Sequence, residues 1–364
     1  MATSANRIIY ASTDVLISDS PAAQAHTSTY SLKRIDRVQQ TSVTISNNIV
    51  NKKHIGYDDY LYDVNLMPPN VSCDISYISQ NNSNELIFGL NASGVGIYSG
   101  LDATGTDKNI FFLFDTGAAM QDITGLSTFD DNIQVLGLGN AYITNYSCSA
   151  AVGSLPTANV SFVGSNVIFQ NYDGSNIIPS LESGKITNYQ YSLASDNFVK
   201  SNYVTNVSDS SPFIKPGDIT LELQDSTANE GGFRFVSTGK IQSYQIDIPF
   251  ERVDLVGFGS DYPYERKLTY PSEGTISMNV IFDYFNTGNQ TGIIFQDRLY
   301  DFTISMADCE DAATDKLIYR ISGAQMSSQS MSTQIGDSFV FDGSFSFPIT
   351  STGGFSIDGE CRFS

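Results

Sequence analysis

Residues 37–58, RVQQTSVTISNNIVNKKHIGYD, and residues 240–261, KIQSYQIDIPFERVDLVGFGSD, align without a gap. Val38 falls on Ile241, Gln39 on Gln242, Val43 on Ile246, Ile45 on Ile248, Gly56 on Gly259 and Asp58 on Asp261. At the same spacing Pro68 falls on Pro271. Apolar residues alternate with hydroxyl and amide residues, the period-two pattern of a strand with one buried face. Self-similarity of this length within one chain marks an internal repeat. The reading is an all-β fold of two related β-sandwich or barrel domains, each with a short helix and long hairpin loops.

A shorter pattern runs through the rest of the chain. It begins with a basic or aromatic residue followed by Ile or Val, at Arg37-Val38, Tyr142-Ile143, Lys185-Ile186, Lys240-Ile241 and Arg320-Ile321. Each copy is followed by a loop and a second alternating stretch. Pro68, Pro156, Pro216 and Pro271 stand just before four of these returns. Proline cannot donate to a ladder, so it marks a strand start. In the return ITLELQ, Ile219, Leu221 and Leu223 point one way and Thr220, Glu222 and Gln224 the other. FFLFDTGAA and DFTISMADC match more weakly, and each precedes a copy of the motif. The expected organisation is a first β domain over 1–170, a connecting β segment over 171–239 and a second β domain over 240–364. The clearest helical signal is MADCEDAATDKL at 306–317, with acids early and Lys316 late, as the helix dipole favours. A counterpart is read in TGAAMQDITG.

Composition narrows the function classes. The 364 residues carry 19 Lys and Arg against 39 Asp and Glu, a net charge of -20. A chain this acidic is poorly equipped to grip a phosphate backbone, which needs cation clusters. Cys73, Cys148, Cys309 and Cys361 form no CxxC pair and read as reduced, packed thiols. No basic region followed by an apolar stretch opens the chain, and no apolar run approaches a membrane span. The expectation is a protein made and kept in aqueous surroundings, with no membrane partner.

Catalytic and metal motifs are weighed and set aside. Asp115-Thr116-Gly117 in FFLFDTGAA resembles the loop that carries an aspartic protease carboxylate, but that chemistry needs two carboxylates sharing a proton. The expected second copy, FTISMADC, has no such loop. His26 and His54 are the two histidines, which leaves a nucleophile almost without a base. Asp308, Glu310, Asp311 and Asp315 lack the spacing of a calcium loop. GLGNAY at 137–142 lacks the third glycine of a dinucleotide fingerprint. No enzyme activity, cofactor or metal is expected.

The stretch NYSCSAAVGSLPTANVSFVGSN, Asn145–Asn166, resembles a segment of tailed-phage virion proteins of the tail-tube type. IPFERVDLVGFGSDYPYERKLTYPSEGTISMNV, residues 248–280, has the same character, and together the resemblance covers about half of the chain. It implies a small β-sandwich with a flanking helix and a long hairpin loop. It implies stacked rings whose inner sheets line a channel for DNA, and the acidic balance fits a polar, acidic channel that DNA crosses without specific binding. It also implies a virion tail protein assembled in the host cytoplasm, with itself and other tail proteins as partners. Duplicated versions are similar to those of tubes built from trimers with pseudo-sixfold symmetry, and a hexamer is the other ring considered. The loops 46–66 and 249–270 are long for hairpins, which mostly use two to five residues. Tyr57, Asp58, Tyr60, Tyr62, Asp261, Tyr262 and Tyr264 are the candidate inter-subunit contacts, because tyrosine supplies amphipathic contact area. The alternatives are a distal-tail, tail-terminator or head-decoration protein, or a carbohydrate-binding β-sandwich.

Overall fold

The structure, a computed structural model, describes residues 13–18, 32–46, 49–53, 60–65, 70–90, 96–101, 106–115, 133–171, 179, 181, 203–204, 213–225, 239–258, 262–282, 299–307, 315–333, 340–350 and 353–359. Its strands in the first half are β1 (Thr13–Ser18), β2 (Leu32–Arg34), β3 (Val38–Ser46), β4 (Ile49–Lys53), β5 (Tyr60–Asn65), β6 (Asn70–Ile78), β7 (Lys108–Asp115), β8 (Ile133–Ala151), β9 (Thr157–Gly164) and β10 (Asn166–Asn171). The chain continues through β11 (Tyr203–Val204), β12 (Ile219–Asp225), β13 (Gly239–Pro249), β14 (Arg252–Leu255), β15 (Glu265–Leu268), β16 (Ser272–Phe282), β17 (Tyr300–Ala307), β18 (Asp315–Ser332), β19 (Val340–Ile349) and β20 (Phe355–Asp358). The fold is all-β. Among the described residues one short α-helix, α1 (Ser83–Phe88), lies between β6 and β7.

The pairing scheme occurs twice. In the first half the order is β3-β6-β9-β8-β7-β1, with β10 also on β8. In the second it is β13-β16-β19-β18-β17-β12, with β20 also on β18. The irregularities recur with it. Gln39 is the extra residue between the pairs Val38–Tyr77 and Gln40–Ser76, and Gln242 between Ile241–Val280 and Ser243–Asn279. Thr144 is extra opposite Phe162 and Ser161, and Ser327 opposite Phe345 and Ser344. Their hydroxyls do the same work: Thr144 donates to the Ser161 carbonyl at 3.2 Å, and Ser327 to the Ser344 carbonyl at 3.0 Å. Asn140 (φ 50°) and Gly323 (φ 70°) take the left-handed backbone where β8 and β18 pass β7 and β17. A bulge bends and twists its strand. Here it lets one long strand serve two layers. The start of β8 pairs with β7 and its end with β9, and β18 does the same with β17 and β19.

Alternation explains the core. Cys73, Ile75 and Tyr77 of β6, Ile276, Met278 and Val280 of β16, and Phe341, Phe345 and Phe347 of β19 are buried, while their neighbours in sequence face outward. The layers meet through aromatic rings. Phe302 on β17 packs edge-on against Phe345 with centroids 4.9 Å apart, and Phe347 stacks with Phe355 of β20 at 6.2 Å. In the first half Phe88 of α1 fills the corresponding space against Phe162, at 5.7 Å. Buried residues of both halves form one contiguous core.

Two expectations meet a different structure. The helix read at 306–317 is strand at both ends: Met306 and Ala307 close β17, and Asp315–Leu317 open β18. Continuous alternation through Phe302, Ile304 and Met306 outweighs a charge pattern that suited a helix dipole. The interior of that stretch, 308–314, and the proposed counterpart after Asp115 lie outside the described residues. Second, Tyr142-Ile143 does not match Arg320-Ile321. Ile143 faces Phe162 as Met326 faces Phe345, so the equivalent pair is Gln325-Met326. Within the segment read as a connecting β segment, ITLELQ is β12, which pairs with β17. The motif copy at Lys185-Ile186 lies outside the described residues.

The turn after β19 sets a severe local demand. Gly354 has φ +94°, and a Cβ there would fall on the carbonyl oxygen of Pro348. Its own carbonyl accepts from the Ser322 N–H at 2.9 Å. Gly354→Ala should therefore cost about 3 kcal/mol or more, since backbone must move as well as strain. Urea midpoints of the two proteins check this; a loss under about 1 kcal/mol would mean that the turn relaxes freely.

Candidate assembly surfaces

The predicted Tyr and Asp contacts are placed as follows. Tyr57, Asp58 and Asp261 lie outside the described residues. The backbone of Tyr60 and Tyr62 is in β5, opposite Lys53 and Lys52 of β4. Tyr262 is buried, whereas Tyr264 is exposed and its N–H donates to the Leu255 carbonyl at 3.0 Å. The loop 249–270 is a hairpin in its own right, β14 with β15.

Two arginines root this hairpin in the first half, which the sequence reading missed. Arg252 Nε donates to the Ile143 carbonyl at 2.8 Å, and its Nη1 to the Arg266 carbonyl at 2.9 Å. Arg266 Nε pairs with Asp254 Oδ1 at 2.9 Å, and its Nη1 donates to Ser165 Oγ at 3.2 Å. Both guanidinium groups lie over the Tyr142 ring, 5.0 and 5.8 Å from its centroid, in cation–π geometry. Burial lowers the Arg252 pKa to about 10, so the group stays charged at neutral pH. Beyond this root the hairpin shows apolar side chains to solvent. Val253, Val256 and Tyr264 are more than half exposed, and Phe258 is fully so.

A second surface is the outer face of the strands β3, β6, β9, β8, β13, β16, β19 and β18. On it the side chains are mainly Ser, Thr, Asn, Gln and Asp. Asp74 accepts from Ser161 Oγ at 2.6 Å and from Ser42 Oγ at 3.3 Å. Asp342 accepts from Asn279 Nδ2 at 2.6 Å, and Asp247 from Asn145 Nδ2 at 2.9 Å. Residues 38–46, 70–78, 145–151, 157–164, 241–249, 272–282, 325–332 and 340–349 contain no Lys or Arg, and the exposed Lys240 stands at the start of β13, opposite Ile281. Ser149, Gln245, Ser277, Asn279, Ser330 and Asp342, from five strands, border one open cleft of about 480 Å³ on this polar side.

A third feature is buried. Glu85 of α1 accepts from Tyr77 Oη at 2.7 Å and from Tyr146 Oη at 3.1 Å through one oxygen, Oε1. Tyr146 lies 2.9 Å from Tyr319 Oη, so the chain of hydroxyls crosses from the first half to the second. Glu85 Oε2 has no partner among the described residues. Burial pushes the Glu85 carboxyl above its ordinary range, against the pull of the two tyrosine hydrogen bonds. A six-residue helix is too short to declare itself by periodicity. Its local signals are the Asn run at 81–84 and Gly89, whose left-handed backbone (φ 88°) ends it.

The remaining candidates are placed as follows. Phe111–Leu113 are buried in β7, and Asp115 is the last residue of that strand, opposite Ile133. Asp315 opens β18, while Asp308, Glu310, Asp311, His26 and His54 lie outside the described residues. Cys73 and Cys148 are buried free thiols, and burial pushes Cys73 up to about 12.

No protein-family model matches this chain, and no curated protein does. Several solved structures are similar to parts of it, among them the following two. The SPP1 tail tube is 12% identical over 46% of this chain and 80% of its own, with a TM-score of 0.30. A chain of the anti-feeding prophage baseplate is 12% identical over 48% of this chain and 99% of its own, with a TM-score of 0.29. Likenesses this slight carry no argument about what the chain does.

Proposed function

We propose that the chain is a virion structural protein of a tailed phage, a tail tube subunit that works by self-association and not by catalysis. The observation that carries this reading is the cation-poor polar face that runs across both halves, with Lys240 at the start of β13 as its exposed cation. Non-specific DNA affinity grows with each phosphate that a cation neutralises. A surface of hydroxyls, amides and carboxylates gives a passing duplex little to hold. The segment that resembles tail-tube proteins, 145–166, is the β8–β9 hairpin at the centre of this surface. Its partners are further copies of itself and other tail proteins, it is built in the host cytoplasm, and DNA passes through without being bound.

Negative-stain microscopy of the purified protein over a range of concentrations tests the proposal. Hollow rings or tubes with a channel wide enough for a duplex are expected; particles that stay single at high concentration would overturn it. The exposed hairpin tip is assigned to stacking between rings. Deleting 249–270 would be a poor test, because Phe250 is buried and Pro249 pairs with Asn145. The double variant Val256→Ser, Phe258→Ser removes only exposed apolar area. It should leave rings and remove long tubes, and tubes of normal length from it would refute the stacking role.

A further inference from the structure

The two halves are joined side by side through one strand pair. The end of β8 lies antiparallel to β13, with Ser149 opposite Gln245, Cys148 opposite Ile246, Ser147 opposite Asp247 and Tyr146 opposite Ile248. In the repeated scheme β13 has the place of β3, and the end of β8 has the place of the end of β18. Among the described residues, β3 pairs with β6 alone, and residues 325–332 of β18 pair with β19 alone. The chain therefore presents, at its two outer ends, the two surfaces that meet each other in its middle.

We propose that these ends pair between neighbouring copies of the chain, antiparallel and head to tail, in the register of the internal junction. That register places Ser42 opposite Ser332, Val43 opposite Met331, Thr44 opposite Ser330, Ile45 opposite Gln329 and Ser46 opposite Ser328. It treats the chain as a duplicated unit and deepens the self-assembly reading above, on which it rests.

Burial supports the match. At the internal junction Ile246 and Ile248 are 0% exposed. Their equivalents on β3 are uncovered: Val43 is half-buried and Ile45 is 60% exposed. Opposite them, Met331 is 38% exposed where Cys148 is 2%, and Gln329 Oε1 has no hydrogen-bond partner among the described residues. The edges also lack the usual protection. Natural edge strands carry lysine, proline or an inward charge to refuse a new neighbour. Val38–Ser46 and 325–332 carry none of these. An interface joining unlike surfaces repeats from copy to copy, and makes a ring where its rotation closes and an open filament where it does not.

Cross-linking tests the register. Opposite Cα atoms in an antiparallel ladder are about 4.5–5.5 Å apart, inside the range a disulfide spans. Positions two residues off, about 7–8 Å away, are outside it. In a background of Cys309→Ser and Cys361→Ser, protein with Thr44→Cys is mixed with protein carrying Ser330→Cys, Ser328→Cys or Ser332→Cys, and oxidised. The Thr44→Cys and Ser330→Cys mixture should give about tenfold more cross-linked dimer than either offset mixture. Preferential bonding of Thr44→Cys to itself, or to an offset position, would overturn the register. Rings seen by microscopy without the Thr44–Ser330 bond would overturn the edge pairing and leave the tube reading standing. Single particles without the bond would overturn both.

Discussion

Replacing Glu85 with alanine should cost the fold about 3–5 kcal/mol, from the loss of two buried tyrosine hydrogen bonds and a cavity beneath α1. Tyr77 and Tyr146 both donate to Glu85 Oε1, and Tyr146 links onward to Tyr319. The loss should therefore be felt in both halves at once, as one cooperative urea transition at lower midpoint. Glu85→Gln keeps an acceptor of the same shape and should cost far less. The two variants also differ with pH. The folded carboxyl titrates above its ordinary value of 4.5 because burial penalises its charge. A raised folded pKa means that the native state holds the proton more tightly. Its contribution is fully present below the ordinary carboxyl range and is lost as pH rises through the folded value. Urea midpoints of the wild type should fall across that window by up to about 1.4 kcal/mol per pH unit, and Glu85→Gln should flatten this component. An unchanged slope in the glutamine variant would show that Glu85 is not the group being titrated.

Ile45→Lys should abolish assembly while changing the stability of the monomer by no more than about 0.5 kcal/mol. Ile45 is exposed, so little in the single chain depends on it. In the assembly it would lie beside Gln329 of the next copy, on the core-facing side of the joined sheet. A lysine there would be buried without a partner, and a charge on an edge is how strands refuse neighbours. Sedimentation and thermal melting of the variant separate the two effects. A variant that melts like the wild type and still forms rings would show that β3 is not an interface. One that melts early would shift attention to Val43→Lys, which faces the same neighbour from a half-buried position.

What was legible in the sequence was whatever depends on spacing. Val43 and Ile246 occupy the same rung because period two ties inside and outside to residue count. The α1 helix was hidden because six residues give no helical period, and its buried carboxylate looks like any surface glutamate until the tyrosines close on it. Composition could not tell Tyr262 from Tyr264, since neighbours on a turn leave in opposite directions, one into the core and one to solvent. Arg252 and Arg266 read as ordinary loop charges. Their role depends on Tyr142, more than a hundred positions earlier in the chain, and no local pattern announces that. Matching Tyr142-Ile143 to Arg320-Ile321 followed side-chain likeness, whereas the extra residues Thr144 and Ser327 set the true correspondence.

Those extra residues behave like shifts in a reading frame. Inserting or losing one residue in a strand exchanges inside for outside for everything downstream until a second change restores phase. With the frame changes at Gln39 and Gln242, and at Thr144 and Ser327, at equivalent places, a descendant of this chain can rewrite nearly every letter of its strands without altering their grammar. Length changes can be absorbed only between strands. Variation in length among relatives of this chain should gather in its loops, and variation within strands should be substitution alone.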